Sequence, residues 1–156
     1  MKKTSVPLVI AFTPDYFIPA ATCLYSIITS MQAEGELHVI CLLSEELPER
    51  LKLKIQLIGE GRTCYSFVNL QGKLQHIYID QKYTEAASYR LLLPDLLPEY
   101  KKVIYIDCDI IVRNDLVQLY HSIDLGMNYL AAVFEASMDF QLDHLKTIGC
   151  NPNEYI

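Results

Sequence analysis

Two aspartates carry the clearest chemistry in this chain. Asp107 and Asp109 close the apolar run Val103-Ile104-Tyr105-Ile106, and Ile110-Ile111-Val112 follows at once. In extended chain, positions i and i+2 project to the same side, about 7 Å apart at Cα. Two carboxylates so placed repel unless a proton or a cation intervenes. A hard divalent ion such as Mn²⁺ or Mg²⁺ takes oxygen ligands from both and keeps positions open for phosphates. Two alternatives stand beside this reading. In one, the first acid ends the strand and the second is ordinary solvated surface. In the other, the pair is the nucleophile and acid of a phosphatase or phosphotransferase. Such proteins carry the motif on their first strand with Thr or Val two residues beyond it, whereas here it comes late and Ile111 fills that slot.

The elements that must position these acids alternate between strand and helix. Residues 6–12, 37–43, 64–68 and 103–106 are apolar runs of the length and type expected for strands buried on both faces. Residues 17–31 repeat apolar side chains at helical spacing through Ile18, Ala21, Leu24, Tyr25, Ile28 and Met31, and Gly35 reads as the stop. Ser44, followed by Glu45 and Glu46, predicts a second helix whose stripe is Leu47, Leu51, Ile55 and Ile58, ended by Gly59 and Gly61. Thr84 predicts a helix to about Leu93, closed by Pro94 and Pro98. Short extended pieces are expected at 76–79 and 110–112. A short helix is expected from Asn114 or Asp115 to Tyr120, a further strand at 129–134 and a helix at 138–148 stopped by Gly149. The pattern predicts an α/β fold, a mostly parallel sheet with helices on both faces. In such sheets the ligand lies beyond the carboxyl ends of the strands.

Composition narrows the function classes. The 156 residues are 51% hydrophobic and 21% charged, which predicts one globular domain over 1–156 and excludes a disordered chain. With 13 Lys and Arg against 19 Asp and Glu, the net charge of -6 argues against nucleic-acid binding. The odd number of cysteines, Cys23, Cys41, Cys64, Cys108 and Cys150, shows no C-x-x-C and no zinc spacing. Cys41 and Cys64 lie in apolar runs, so they are expected to be reduced and buried in a cytoplasmic protein. The apolar stretch after Met1-Lys2-Lys3 is too short for a signal sequence, and no run of apolar residues is long enough for a membrane span.

The stretch "EAASYRLLLPDLLPEYKKVIYIDCDIIVRNDLVQLYHSIDLGMNYLAAVFE", from Glu85 to Glu135, resembles glycosyltransferase family 8. The family pattern is an Arg-bearing helix ending in "LLP", a strand leading into D-x-D, a short helix near Asp115, and a later strand ending in an acid. The segment from Val6 to Tyr16 and the helix ending "LYSIITSM" resemble the family's first strand, nucleotide loop and following helix. The resemblance implies a Rossmann-like GT-A fold. It also implies transfer of a hexosyl unit from a UDP-sugar, with retention, to a glycan or lipid-linked acceptor, as in lipopolysaccharide or other surface-glycan assembly.

Residue by residue, the resemblance implies that Asp107 and Asp109 hold Mn²⁺ or Mg²⁺ and that the Cys108 backbone lies near the nucleotide. It implies that Arg90 meets the diphosphate and donor sugar, and that Ala11, Thr13, Asp15 and Tyr16 hold uracil and ribose. Glu135 stands where the family has an Asp near the donor sugar. The sequence departs from the family's nucleotide loop, with Thr13 and Pro14 in place of two acids and Asp15 in place of an Asn. His38, His76, His121 and His144 match no family ligand and read as strand or surface histidines. The resemblance further implies that the acceptor-binding part, a reacting-centre Gln and a late metal-binding His belong to sequence after Ile156. The chain then reads as a donor-binding portion whose exposed apolar edges favour self-association. It would work in the cytoplasm or at the inner membrane face, either active or as a non-catalytic nucleotide-sugar-binding remnant.

Overall fold

The computed structural model describes residues 5–32, 34–76 and 84–133, together with Asp143 and Thr147. The chain divides into two units, Met1–Ser122 and Ile123–Ile156. In the first, β1 (Val6–Phe12) leads through a 3-10 turn at Pro14–Tyr16 into α1 (Phe17–Ser30). Then come β2 (Leu37–Leu43), α2 (Glu49–Gln56) and β3 (Thr63–Asn69). After α3 (Glu85–Ser88), a 3-10 stretch at Tyr89–Leu92 joins α4 (Leu93–Leu96), and β4 (Ile104–Asp107) and α5 (Leu116–Ser122) complete the unit.

The four described strands form one sheet in the order β3-β2-β1-β4, with parallel pairing throughout. All seven residues of β1 are buried, as its unbroken apolar sequence predicts. Strand periodicity divides them between two cores. Leu8, Ile10 and Phe12 pack with Ala20, Cys23, Leu24 and Ile27 of α1. Val9 and Ala11 face the opposite way and pack with Ala86, Tyr89 and Leu97. β4 follows the same parity, with Ile104 and Ile106 toward the α1 side and Val103 and Tyr105 toward the other. The predicted α/β sheet with helices on both faces is therefore observed.

Several local expectations are corrected. The buried face of α1 is Ala20, Cys23, Leu24, Ser26 and Ile27, while Ile18 and Tyr25 of the expected stripe are exposed. The helix is apolar almost all round, so periodicity cannot choose the face, and the small Ala and Cys side chains turn to the sheet. Gly35 does not cap α1, which ends at Ser30 with an extended Met31. Its value is space, because a Cβ there would stand 2.7 Å from the Val117 side chain. α2 starts at Glu49 after Pro48, not at Ser44. A residue before proline is driven out of helical conformation, so Leu47 enters the core from the loop ahead of the helix instead. The helix is left through Gly59 at φ 72°, where a side chain would also strike Ile28. Cys41 is buried as expected, but Cys64 is exposed because β3 is the outer strand.

The single helix expected from Thr84 is broken into α3, the 3-10 stretch and α4. Pro94 lacks the N–H that would continue the ladder, and Leu93 N–H turns back to the Arg90 carbonyl. Residues 110–112 make no sheet pairing among the described residues. In the second unit, residues 129–133 are not a strand, and Tyr129, Leu130 and Val133 are exposed. Asp143 and Thr147 are helical, with Thr147 Oγ1 donating to the Asp143 carbonyl at 2.8 Å. The expectations for residues 77–79, Phe134, the rest of 138–148 and Cys150 lie outside the described residues.

Candidate functional site

The strand order creates a switch point. From β1 the chain moves through β2 to β3 on one side and then crosses to β4 on the other. The chain leaves the carboxyl ends of β1 and β4 there into loops, and in open parallel sheets such a switch point is where ligands bind. The register pairs Ala11 with Asp107 across this point. Two short segments thus share one end of the sheet. One is the turn after β1; the other is the D-x-D after β4.

In the turn, Tyr16 N–H donates to the Thr13 carbonyl at 2.9 Å, which closes the 3-10 loop and starts α1. Ala11 is buried beside Asp107, Thr13 is half-buried, and Asp15 and Tyr16 are exposed. In the D-x-D, Asp107 and Asp109 are exposed and Cys108 between them is buried in the α1-side core. Burial and the Asp109 and Asp107 carboxylates push the Cys108 thiol up, so it stays protonated and unreactive. Burial also raises the Cys23 thiol to about 11.

Arg90 comes from the 3-10 stretch on the opposite face. Its guanidinium donates to Asp107 Oδ1 at 2.8 Å and lies 4.7 Å from the centre of the Tyr105 ring. Its Nε donates to the Ala87 carbonyl at 2.8 Å. Parity explains the meeting, since Tyr105 and Asp107 project from β4 toward the Arg90 side. Burial raises the Tyr105 phenol against the opposing pull of the Arg90 charge, so the ring remains neutral beneath the cation. Ala11, Thr13, Asp15, Tyr16, Arg90, Asp107, Cys108 and Asp109 therefore gather around the ends of β1 and β4. Glu135 lies outside the described residues.

Sequence reasoning missed the supports of this site. Ser26 and Ser30 of α1 bond Val112. Asp115, expected to start a helix, also reaches back to the Gln32 amide at 2.8 Å. The i, i+4 spacing of the two serines was the available signal, for it sets both on one face of α1.

The profile of glycosyl transferase family 8 matches residues 7–154. The chain belongs to this family. Among relatives, General stress protein A of Bacillus subtilis is 24% identical over 149 residues, covering 93% of this chain and 52% of that protein. Among solved structures, the WbbM bifunctional glycosyltransferase superposes with a TM-score of 0.81 at 23% identity, covering 98% of this chain and 30% of that one. The galactosyltransferase LgtC, solved with donor and acceptor sugar analogues, gives 0.78 at 22% identity, covering 96% of this chain and 54% of that one. The family 8 chain thus shares the GT-A fold of these enzymes and spans about half the length of the stress protein it matches.

The donor set fits a hard divalent cation. Two exposed carboxylates offer oxygen and the thiol between them is buried, while the Arg90 guanidinium competes for one Asp107 oxygen. Among the described residues no group of three or more His, Cys, Asp or Glu is placed to hold a metal ion, so two carboxylates are the protein ligands on offer.

Proposed function

We propose that this chain is the donor-binding part of a family 8 hexosyltransferase that uses a UDP-sugar. What supports the reading is the pairing of Ala11 with Asp107 at the switch point, with Arg90 on the Asp107 carboxylate. In the reaction, the bond from the sugar C1 to the phosphate oxygen breaks and UDP leaves with the electron pair. A bond from C1 to an acceptor oxygen forms with retention, and the proton of that hydroxyl passes to the departing diphosphate oxygen.

Asp107 and Asp109 would hold Mn²⁺ or Mg²⁺. When bound there, such an ion supplies Lewis-acid stabilisation of charge on the departing diphosphate. Arg90 donates its planar, permanently charged fork to diphosphate oxygens, with the Tyr105 ring fixing its plane. Tyr16 offers an exposed ring for uracil, and Thr13 a hydroxyl for a base edge. Asp15 and the backbone at Ala11 and Cys108 complete the nucleoside contacts, and the family resemblance assigns the donor sugar to Glu135.

The acceptor in this reading is a glycan or a lipid-linked saccharide, as in lipopolysaccharide assembly on the cytoplasmic side. Among the described residues no helix is long and apolar enough to cross a membrane, and no cation cluster suits nucleic acid. Residues 1–156 act as one nucleotide-sugar-binding domain, and exposed apolar side chains favour self-association.

The test is a thermal-shift panel of UDP-, GDP- and CDP-sugars with and without Mn²⁺, run beside Asp109→Asn. A metal-dependent shift with UDP-sugars that the variant loses is expected. No shift, or an equal shift in the variant, defeats the assignment. Turnover by this chain with an added acceptor would exclude the non-catalytic remnant reading.

A further inference from the structure

The exit from the D-x-D segment is fastened to α1 through one residue. Val112 N–H donates to Ser26 Oγ at 2.9 Å, and Ser30 Oγ donates to the Val112 carbonyl at 2.9 Å. The Ser26 hydroxyl itself donates to the Cys23 carbonyl at 2.7 Å, so it is used in both senses. Among the described residues Val112 has no strand partner, and these two hydroxyls satisfy both of its backbone polar groups. One turn earlier on the helix, Cys23 Sγ lies 3.8 Å from the Asp107 carbonyl. Side chains of α1 therefore follow the chain from the first acid of the D-x-D to three residues past the second.

Helical hydroxyls usually bond their own helix, as Thr22 does to the Ile18 carbonyl at 2.9 Å. Ser26 and Ser30 also reach beyond the helix, to a partner 86 and 82 residues away in sequence. The same helix begins at Phe17, directly after the turn that carries Thr13, Asp15 and Tyr16. One 14-residue helix thus joins both ligand-facing segments.

We infer that Ser26 and Ser30 are positioning residues for the metal-binding carboxylates. By holding both polar groups of Val112 they set the path of residues 109–112, and so where Asp109 stands relative to Asp107. The inference rests on the donor-site reading above and concerns residues that need not touch the ligand.

The test titrates the whole chain with Mn²⁺ alone, reading free ion by electron paramagnetic resonance well below the unfolding temperature. A merely structural loss leaves the affinity of the folded protein unchanged under those conditions. Ser26→Ala is expected to weaken Mn²⁺ binding about tenfold, the low end for losing a support behind a metal ligand. Ser30→Ala weakens it less, Ser30→Thr restores it because the hydroxyl returns, and Thr22→Ala leaves it unchanged. In metal-free protein, Ser26→Ala also speeds hydrogen exchange of the Val112 amide. Should Ser26→Ala not fold, the Ser30→Ala and Ser30→Thr pair carries the test. If the serine variants bind Mn²⁺ like the unsubstituted chain while Asp109→Asn does not, the donor site stands and the positioning role is overturned. If the unsubstituted chain binds no Mn²⁺, or Asp109→Asn binds it equally well, the donor-site reading falls and takes this inference with it.

Discussion

Asp107 has two unlike neighbourhoods. On the α1 side the backbone of 107–115 is tied down: Cys108 is buried, Val112 is held by two serines, and Asp115 caps α5 through the Val117 and Gln118 amides while accepting from Gln32. On the other side stands Arg90, at the end of a long side chain that is 45% exposed and carried by a 3-10 stretch. The backbone frame that carries the acids is held by buried side chains and hydrogen bonds, whereas their cation is held at the tip of its side chain, by the Ala87 carbonyl, Asp107 and the Tyr105 ring. A site for a multiply charged ligand gains from that division, because a held backbone preserves the spacing of the acids while a guanidinium can exchange a carboxylate partner for ligand oxygens.

Variants of the frame and of the cation should therefore behave differently. The largest effect is expected from Leu24→Ala, which empties core space beneath α1 and should cost about 3 kcal/mol in chemical denaturation. A loss under about 1 kcal/mol, the low end for trimming a core side chain, would mean α1 is not seated as described. Asp109→Asn removes a ligand and leaves the frame; it should weaken Mn²⁺ binding by at least about 100-fold, beyond the range for outer supports, with unfolding unchanged. Asp115→Ala strips a cap and a partner of the Gln32 amide, so calorimetry should show a loss of about 2 kcal/mol. Arg90→Lys keeps the charge but loses the fork. UDP-sugar affinity should fall about tenfold. Stability should barely move, because a half-exposed ion pair contributes about 0.5 kcal/mol. If Arg90→Lys instead lowered stability as Asp115→Ala does, the contrast between frame and cation would collapse.

The smallest effect lies away from the site. His38 on β2 bridges Tyr100 Oη at 2.5 Å and Ser66 Oγ at 2.8 Å, and burial lowers its pKa from 6.5. The unfolded chain then binds the proton more readily. This contribution to stability is present above pH 6.5 and fades as pH falls through that value toward the folded-state pKa. Denaturation midpoints should decline modestly between about pH 7.5 and 5. His38→Gln should flatten that part of the curve, while an unchanged slope would assign it to other groups.

What the sequence disclosed depended on how local the cause was. β1 and β2 were legible to the residue because a strand buried on both faces needs an unbroken apolar run. The D-x-D could be placed at a strand end for the same reason. The buried face of α1 was not legible, since nearly every face of that helix is apolar. Two prolines decided other boundaries: Pro48 delayed α2, and Pro94 broke the expected helix. The register of Ala11 with Asp107 and the grip of α1 on Val112 join residues more than 80 apart, where no local pattern points. Only the serine spacing hinted at the latter.

Cys108 holds a consequence of its own. Its side chain is sunk in the core while the acids on either side face water. Any replacement there is measured against the room a thiol takes, and a bulkier one must be absorbed by the backbone that carries both aspartates. The motif's unspecified central letter therefore conceals a size limit, and a buried thiol calibrates the gap between two exposed acids.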